Sequence, residues 1–330
     1  TSPPPPSVAT TGAGPPSWRR WRSVDKRLAA LPWGAPVNFL GLPDPAPALE
    51  GAPIVILPVP YEATVSYMGG TRFGPRCILE ASRYIELYDH ELDGEFHEAG
   101  IHTLPELMLS GAGPEEALDE LRTACDRLLE LDKFVIMLGG EHSLTAAPVE
   151  AHVRRLGKRR LSVLQLDAHG DLRPEYEGTP YSHACVMYRI HQRVDLVPVG
   201  IRAITAEERE LMRARRIPTI FGHELDAAEG WIDRAIAALG PEVYVTIDVD
   251  YFDPSLVPAT GTPEPGGGQW YPTLRLLERV FAERHVVGVD VVELAPIPGF
   301  VAPDFLVAKL VYKLIAWHQH GRAAGSRRRR

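Results

Sequence analysis

Three short segments of this chain carry the residues best suited to chemistry: Asp167-Ala168-His169-Gly170-Asp171, Asp248-Val249-Asp250 and Gly139-Gly140-Glu141-His142. Each follows an apolar run that reads as a buried strand. Together they bring four carboxylates (Asp167, Asp171, Asp248, Asp250) and two imidazoles (His142, His169) to strand ends. Unpaired carboxylates are costly to take out of water, so crowding them calls for cations. The pattern predicts a two-metal site.

The spacing supports that prediction. Residues at i, i+2 and i+4 share one face while the chain stays extended, so Asp167, His169 and Asp171 can converge. Asp248 and Asp250 repeat the arrangement. Gly139 and Gly140 allow close backbone approach ahead of His142. Taken singly, Asp167–Asp171 reads more readily as a capped loop than as ligands, and His142 as a satisfied polar residue. Three clusters at three strand ends favour metal. Oxygen donors with some imidazole suit Mn²⁺ better than Zn²⁺. Four carboxylates balance two divalent ions, which can activate a shared water at neutral pH.

The elements that must position these residues are legible from apolar patterning. Five β-branched runs read as buried parallel strands: 54–57, 134–137, 161–166, 243–247 and 286–289. Weaker candidates lie at 196–199 and 217–220. Helical patterns alternate with them. Pro114 suits a helix start, followed by the stripe Leu118, Leu121, Cys125, Leu128 and Leu129. Thr205 and Glu208 fit a capping box. Leu274, Leu277, Val280 and Phe281 form a second stripe. The segment from Phe305 to Ala316 is apolar almost all round, as in a buried helix. The alternation predicts an α/β fold: a single three-layer αβα domain with a mainly parallel sheet of about eight strands, its site at the carboxyl ends.

The chain has 330 residues, 45% of them hydrophobic and 24% charged, which suits a globular protein with its own core. A net charge of −8 gives no reason to expect a polyanion partner. The run Arg327–Arg330 reads as a solvated tail rather than a nucleic-acid tether. Residues 1–35 are expected to be a Pro-rich, disordered arm, with Trp18 and Trp21 able to dock on the body or a neighbour. A catalytic domain is expected over 36–320 and a basic tail over 321–330. Three cysteines (Cys77, Cys125, Cys185) without paired spacing suit a reducing compartment. With no signal pattern and no membrane-length apolar run, the expected location is cytoplasmic.

Gly139-Gly140-Glu141-His142-Ser143, Asp167-Ala168-His169-Gly170-Asp171 and Thr246-Ile247-Asp248-Val249-Asp250, with Asp253-Pro254, resemble the signatures of the ureohydrolase family of arginases and agmatinases. Gly70-Thr71-Arg72-Phe73-Gly74-Pro75, Ala259-Thr260-Gly261-Thr262-Pro263 and Asp290-Val291-Val292-Glu293 extend the resemblance, which runs over about 53–318. One departure is Glu141, where many members have Asp. The resemblance implies two Mn²⁺ per subunit. One would be held by His142, Asp167, Asp171 and Asp248, the other by Asp167, His169, Asp248 and Asp250. It implies that Asp171 accepts a hydrogen bond from the activated water and that Glu293 grips the substrate guanidinium. His183 would be the acid/base group and would contact substrate, as would Thr262. The implied partner is a small cationic guanidino compound, in a trimer or hexamer, with no nucleic acid or membrane.

The loop Leu172–Ser182 lacks the Asn that arginases place there and is similar to agmatinase-like members. Glu175 and Glu177 could draw a second cationic end of the substrate. The expected reaction is therefore agmatine to putrescine and urea. N1-aminopropylagmatine, giving spermidine, is the alternative; guanidinobutyrate and arginine rank lower. A non-catalytic metal-binding scaffold is the reading from another class.

Overall fold

The apolar runs pair edge to edge into one eight-stranded sheet, parallel throughout. This computed structural model describes residues 37–42, 48–227 and 230–328. The expected N-terminal arm, with Trp18 and Trp21, lies outside the described residues. The strands are β1 (Ile54–Val59), β2 (Tyr88–Asp89), β3 (Gly94–Glu95), β4 (Ile101–Thr103), β5 (Phe134–Gly139), β6 (Leu161–Leu166), β7 (Asp195–Ile201), β8 (Ile220–Phe221), β9 (Glu242–Asp248) and β10 (His285–Val292). The sheet order is β4-β1-β5-β10-β9-β6-β7-β8, while β2 and β3 form a separate antiparallel pair.

The α-helices are α1 (Gly74–Ser82), α2 (Pro114–Glu130), α3 (Ala146–Leu156), α4 (Val186–Ile190), α5 (Ala206–Arg215), α6 (Gly222–Ala227), α7 (Trp231–Ala238), α8 (Trp270–Glu283) and α9 (Ala302–Arg328). They cover both faces of the sheet. Ile54 and Ile56 of β1 join a core with residues of α1, α7, α8 and α9. Val55, Leu57 and Val59 point the other way, into a core with α2 and α3. Both faces are apolar, which is why these strands read as continuous hydrophobic runs.

The helix expectations hold locally. Pro114 opens α2, and its predicted stripe is buried. The capping box forms, with Glu208 N donating to Thr205 Oγ1 at 3.2 Å and Thr205 N to Glu208 Oε2 at 2.8 Å. Helix α9 buries most of its residues between Val307 and Trp317, although Phe305 is exposed. Lys313 is the polar exception inside it, buried and paired with Asp89 at 2.8 Å. The helix runs to Arg328, so the backbone of 321–328 is helical. No helix among the described residues is long and apolar enough to cross a membrane.

Strand order explains where the site falls. After β5 the chain builds outward through β6, β7 and β8, then returns to insert β9 and β10 between β5 and β6. The carboxyl ends of these four adjacent strands, β5-β10-β9-β6, carry the clusters. This is the place where open parallel sheets bind ligands.

Candidate metal centre and active site

His142 sits just beyond β5, Asp167 just beyond β6, Asp248 at the end of β9 and Glu293 just beyond β10. Asp250 follows in a short 3-10 turn, Val249–Tyr251. His142 Nδ1 lies 3.1 Å from Asp167 Oδ2, 3.0 Å from Asp171 Oδ2 and 3.3 Å from Asp248 Oδ2. His169 Nδ1 lies 2.8 Å from Asp250 Oδ2 and 3.7 Å from Asp167 Oδ1. Two groupings tight enough for an ion result: His142, Asp167 and Asp171, and Asp167, His169 and Asp250. Asp167 belongs to both, as a bridging ligand must. Asp248 approaches His142 but falls in neither grouping. His142, His169, Asp171, Asp248, Asp250, Glu293, His183 and Thr262 all border one small cleft, and Asp167 is fully buried.

The ring of His142 tests whether a cation belongs here. Thr246 Oγ1 donates its one hydrogen to Asp290 Oδ1 at 2.6 Å. It must then accept from His142 Nε2–H, 3.0 Å away. That leaves the lone pair of the neutral ring on Nδ1, facing three carboxylate oxygens. Nδ1 is buried with no partner in hydrogen-bonding geometry. Lone pairs facing lone pairs repel unless a positive charge stands among them. Ligand atoms about 2.1 Å from a common ion stand about 3.0–3.4 Å from one another, and the spacings around Nδ1 match that. The residues fit a metal centre.

The ionisation of the cluster agrees. Burial, then the charges of Asp171 and Asp250, push Asp167 up to about 7. Burial, then Asp250 and Asp167, raise Asp248 well above the carboxylate range. Burial opposes a charge on His142, but the surrounding carboxylates outweigh it and raise its pKa. Burial likewise opposes charge on His169, yet Asp250 holds it up at about 11. Burial would raise Asp250 too, but His169 outweighs it and brings it down to about 2. Without cations the cluster retains protons, which stand in for the missing positive charge.

Local backbone geometry aims these groups. Asp171 has φ +51°, a left-handed conformation unusual for a residue other than glycine, at the point where the segment turns off the sheet. Glu208, at the start of α5, accepts from Leu172 N at 2.9 Å and so anchors that turn. Ala168 N donates to Asp250 Oδ1 at 3.0 Å, locking the two acidic segments together.

Glu293, also left-handed at φ +66°, accepts from the backbone N–H of His142 at 2.6 Å. Burial chiefly raises its carboxyl to about 8. His183 stands in a turn with Thr64 Oγ1 3.2 Å from its Nδ1. Glu175 and Glu177 lie in the same loop but do not border the cleft.

Sequence patterns overlooked several supporting residues. Thr64 carries no motif, and Thr246 opens the segment Thr246–Asp250 with no sign that it serves His142. Arg202 donates to the carbonyl oxygens of Gly200 (3.0 Å), Asp250 (2.7 Å), Glu264 (3.0 Å) and Pro265 (3.1 Å). A lone arginine after a strand gives no signal; the nearest local sign is Gly267, where a Cβ would collide with the Arg202 guanidinium.

The family model described as "Arginase family" matches residues 52–316. The chain belongs to the arginase family. It is 42% identical over 273 residues to the N(1)-aminopropylagmatine ureohydrolase of Synechocystis sp., covering 81% of this chain and 89% of that one. It is 32% identical over 283 residues to the agmatinase of Pyrococcus horikoshii, covering 82% and 94%. The agmatine ureohydrolase of Thermoplasma volcanium superimposes with a TM-score of 0.78 at 28% identity, covering 89% of this chain and 98% of that one. The expected family, the three-layer fold and a hydrolytic enzyme are borne out.

Proposed function

We propose that this arginase-family ureohydrolase cleaves the guanidino group of an agmatine-type substrate into urea and a primary amine. The carrying observation is the pair of ligand groupings sharing Asp167, with Glu293 on the same cleft. Agmatine, giving putrescine, is one substrate reading. N1-aminopropylagmatine, giving spermidine, has equal support, since relatives of that name are 42%, 41%, 40% and 35% identical. Agmatinases follow at 32% to 34%.

The residues proposed to hold two Mn²⁺ are His142, Asp167, Asp171 and Asp248 for one ion, and Asp167, His169, Asp248 and Asp250 for the other. When bound, such a pair supplies a water activated at neutral pH. The oxygen-rich donor set favours manganese over zinc. Glu293 has one lone pair engaged by His142 N and keeps others on both oxygens for the planar guanidinium. That grip fixes the guanidino carbon for attack. Asp171 orients the attacking water by accepting its hydrogen bond. Thr262 borders the substrate. His183 delivers a proton to the leaving amine.

We also propose a single catalytic domain over 36–320, a homo-oligomer (trimer or hexamer) and a cytoplasmic setting. Exposed Tyr67, Met68, Phe73 and Val301 support a subunit contact. Cys77, Cys125 and Cys185, all unpaired, support a reducing compartment.

The test is urea release from agmatine, N1-aminopropylagmatine, arginine and guanidinobutyrate by the Mn²⁺-loaded protein. Turnover of either of the first two supports the proposal. No urea from any of the four would leave the metal-binding scaffold as the better reading.

A further inference from the structure

Glu141 is fully buried beside His142 in the chain, yet it belongs to neither ligand grouping. Its Oε2 accepts from Ala63 N at 2.5 Å and Thr64 N at 2.7 Å. Its Oε1 accepts from Thr64 Oγ1 at 2.8 Å and Ser143 Oγ at 2.5 Å. A carboxylate offers only lone pairs, so the single hydrogen of Thr64 Oγ1 is committed to Oε1. Thr64 Oγ1 can then only accept from its other neighbours. Both belong to His183: its backbone N–H at 3.0 Å and its ring Nδ1 at 3.2 Å.

We infer that Glu141 and Thr64 are positioning residues that fix the tautomer of His183, keeping hydrogen on Nδ1 so that Nε2 alone exchanges protons. The inference rests on the reading of His183 as the acid/base group and supplies the atom at which it works. An Nδ1 lone pair would oppose those of Thr64 Oγ1. An Nδ1–H satisfies Thr64, the nearer hydroxyl; Ser182 Oγ, 3.3 Å away, can donate or accept and so does not set the tautomer. Ser182 Oγ in turn accepts from Ala184 N at 3.4 Å and caps the turn carrying His183. Backbone and ring are thus held by one hydroxyl, itself held by a carboxylate on the segment that bears His142. His183 borders the cleft, so Nε2–H of the protonated ring is the hydrogen to be given to the leaving amine, and the neutral ring takes a proton back at the same atom.

The same device stands elsewhere in the molecule. Asp290 takes the hydrogen of Thr246, and Thr246 sets His142 with hydrogen on Nε2 and its lone pair on Nδ1. Two carboxylate–threonine pairs therefore impose opposite tautomers on two histidines. The ring meant for metal offers Nδ1, and the ring meant for proton transfer offers Nε2.

The ¹⁵N spectrum of histidine-labelled protein loaded with diamagnetic Mg²⁺ tests this directly, with His183→Asn assigning the signals. The expected neutral form has a protonated Nδ1 and a bare Nε2. Thr64→Val should lose that preference and lower kcat about 10- to 100-fold in the Mn²⁺ enzyme, with KM little changed and a shifted pH–rate limb. Thr64→Ser should restore all of these. An Nε2–H tautomer in the wild-type protein overturns the inference, as does a folded Thr64→Val enzyme with unaltered kcat and pH profile. The wild-type spectrum decides even if the valine variant misfolds. It also separates this inference from the proposed function, because the tautomer is read without turnover, whereas absence of urea release defeats the reaction.

Discussion

The backbone N–H of His142 donates to the Glu293 side chain at 2.6 Å across 151 residues of sequence. That bond ties the loop after β5 to the end of β10 and holds the proposed guanidinium carboxylate against a metal-binding segment. Glu293 N returns the contact by donating to Gly140 O at 2.7 Å. Glu293→Gln keeps an oxygen for His142 N but loses the charge. The variant should fold and retain its metal. Its kcat/KM should fall about 10- to 100-fold, the worth of a charge-assisted bond. Elemental analysis with urea kinetics checks both. Parallel loss of metal and activity would mean that Glu293 serves the centre's structure rather than the substrate.

Metal removal should expose the proton chemistry of the cluster. In the ion-free protein the Asp167 carboxyl is raised from 3.8 to about 7 and that of Glu293 from 4.5 to about 8. A raised folded-state value means a stability contribution present at low pH and lost as pH rises through it. The chelated protein should therefore lose melting temperature from about pH 5 to about pH 8. The loaded protein gains from its ions over the same range, because ligation requires deprotonated carboxylates. The gap between the two melting curves should widen with pH. Calorimetric titration in buffers of different ionisation enthalpy should show protons released on Mn²⁺ uptake. A pH-independent gap and no proton release would contradict the account.

Thr246 controls the ring of His142 while touching no proposed metal position. Thr246→Val removes the acceptor for Nε2–H and frees Asp290 Oδ1, leaving the ring able to turn or change tautomer. Loss of such an outer-shell partner typically costs about 10–100-fold in metal affinity. Competition with a chelator of known affinity measures this. The deficit in activity should disappear at saturating Mn²⁺ if Thr246 acts only through metal retention.

The contrast between the proposed ligands and their supports follows from sequence distance. Asp167, His169 and Asp171 lie within five residues of one another, and extended-chain geometry makes their convergence readable. The long apolar runs were equally plain, since burial on both faces leaves no polar alternation to confuse them. Strand β4 carries no readable pattern: it is three residues long, with only Ile101 both apolar and buried. The β2–β3 pair, two residues a side, gave even less. The expected strand at 217–220 shrinks to Ile220–Phe221 because Ile217 caps the end of α5, its N–H bonded to Met212 O. Thr64 meets His183 across 119 residues, and Thr246 meets His142 across 104. No local spacing announces a hydroxyl whose value lies in which neighbour takes its hydrogen.

Arg202 provides the last prediction. Its guanidinium spans carbonyls from the ends of β7 and β9 and from the loop carrying Glu264 and Pro265. The carbonyl of Asp250 is the nearest, so the arginine sets the backbone from which that carboxylate projects. Lysine keeps the charge but is a point donor, not a planar fork, and cannot reach four carbonyls at once. Arg202→Lys should leave carbonyls in this partly buried setting unsatisfied, at about 1–3 kcal/mol in folding stability. The second ligand grouping should suffer more than the first, because Asp250 belongs to it alone. Mn²⁺ titration should then resolve one site near wild-type affinity and one weakened. Equal weakening of both, or of neither, would show that Arg202 braces the loops without setting the position of Asp250.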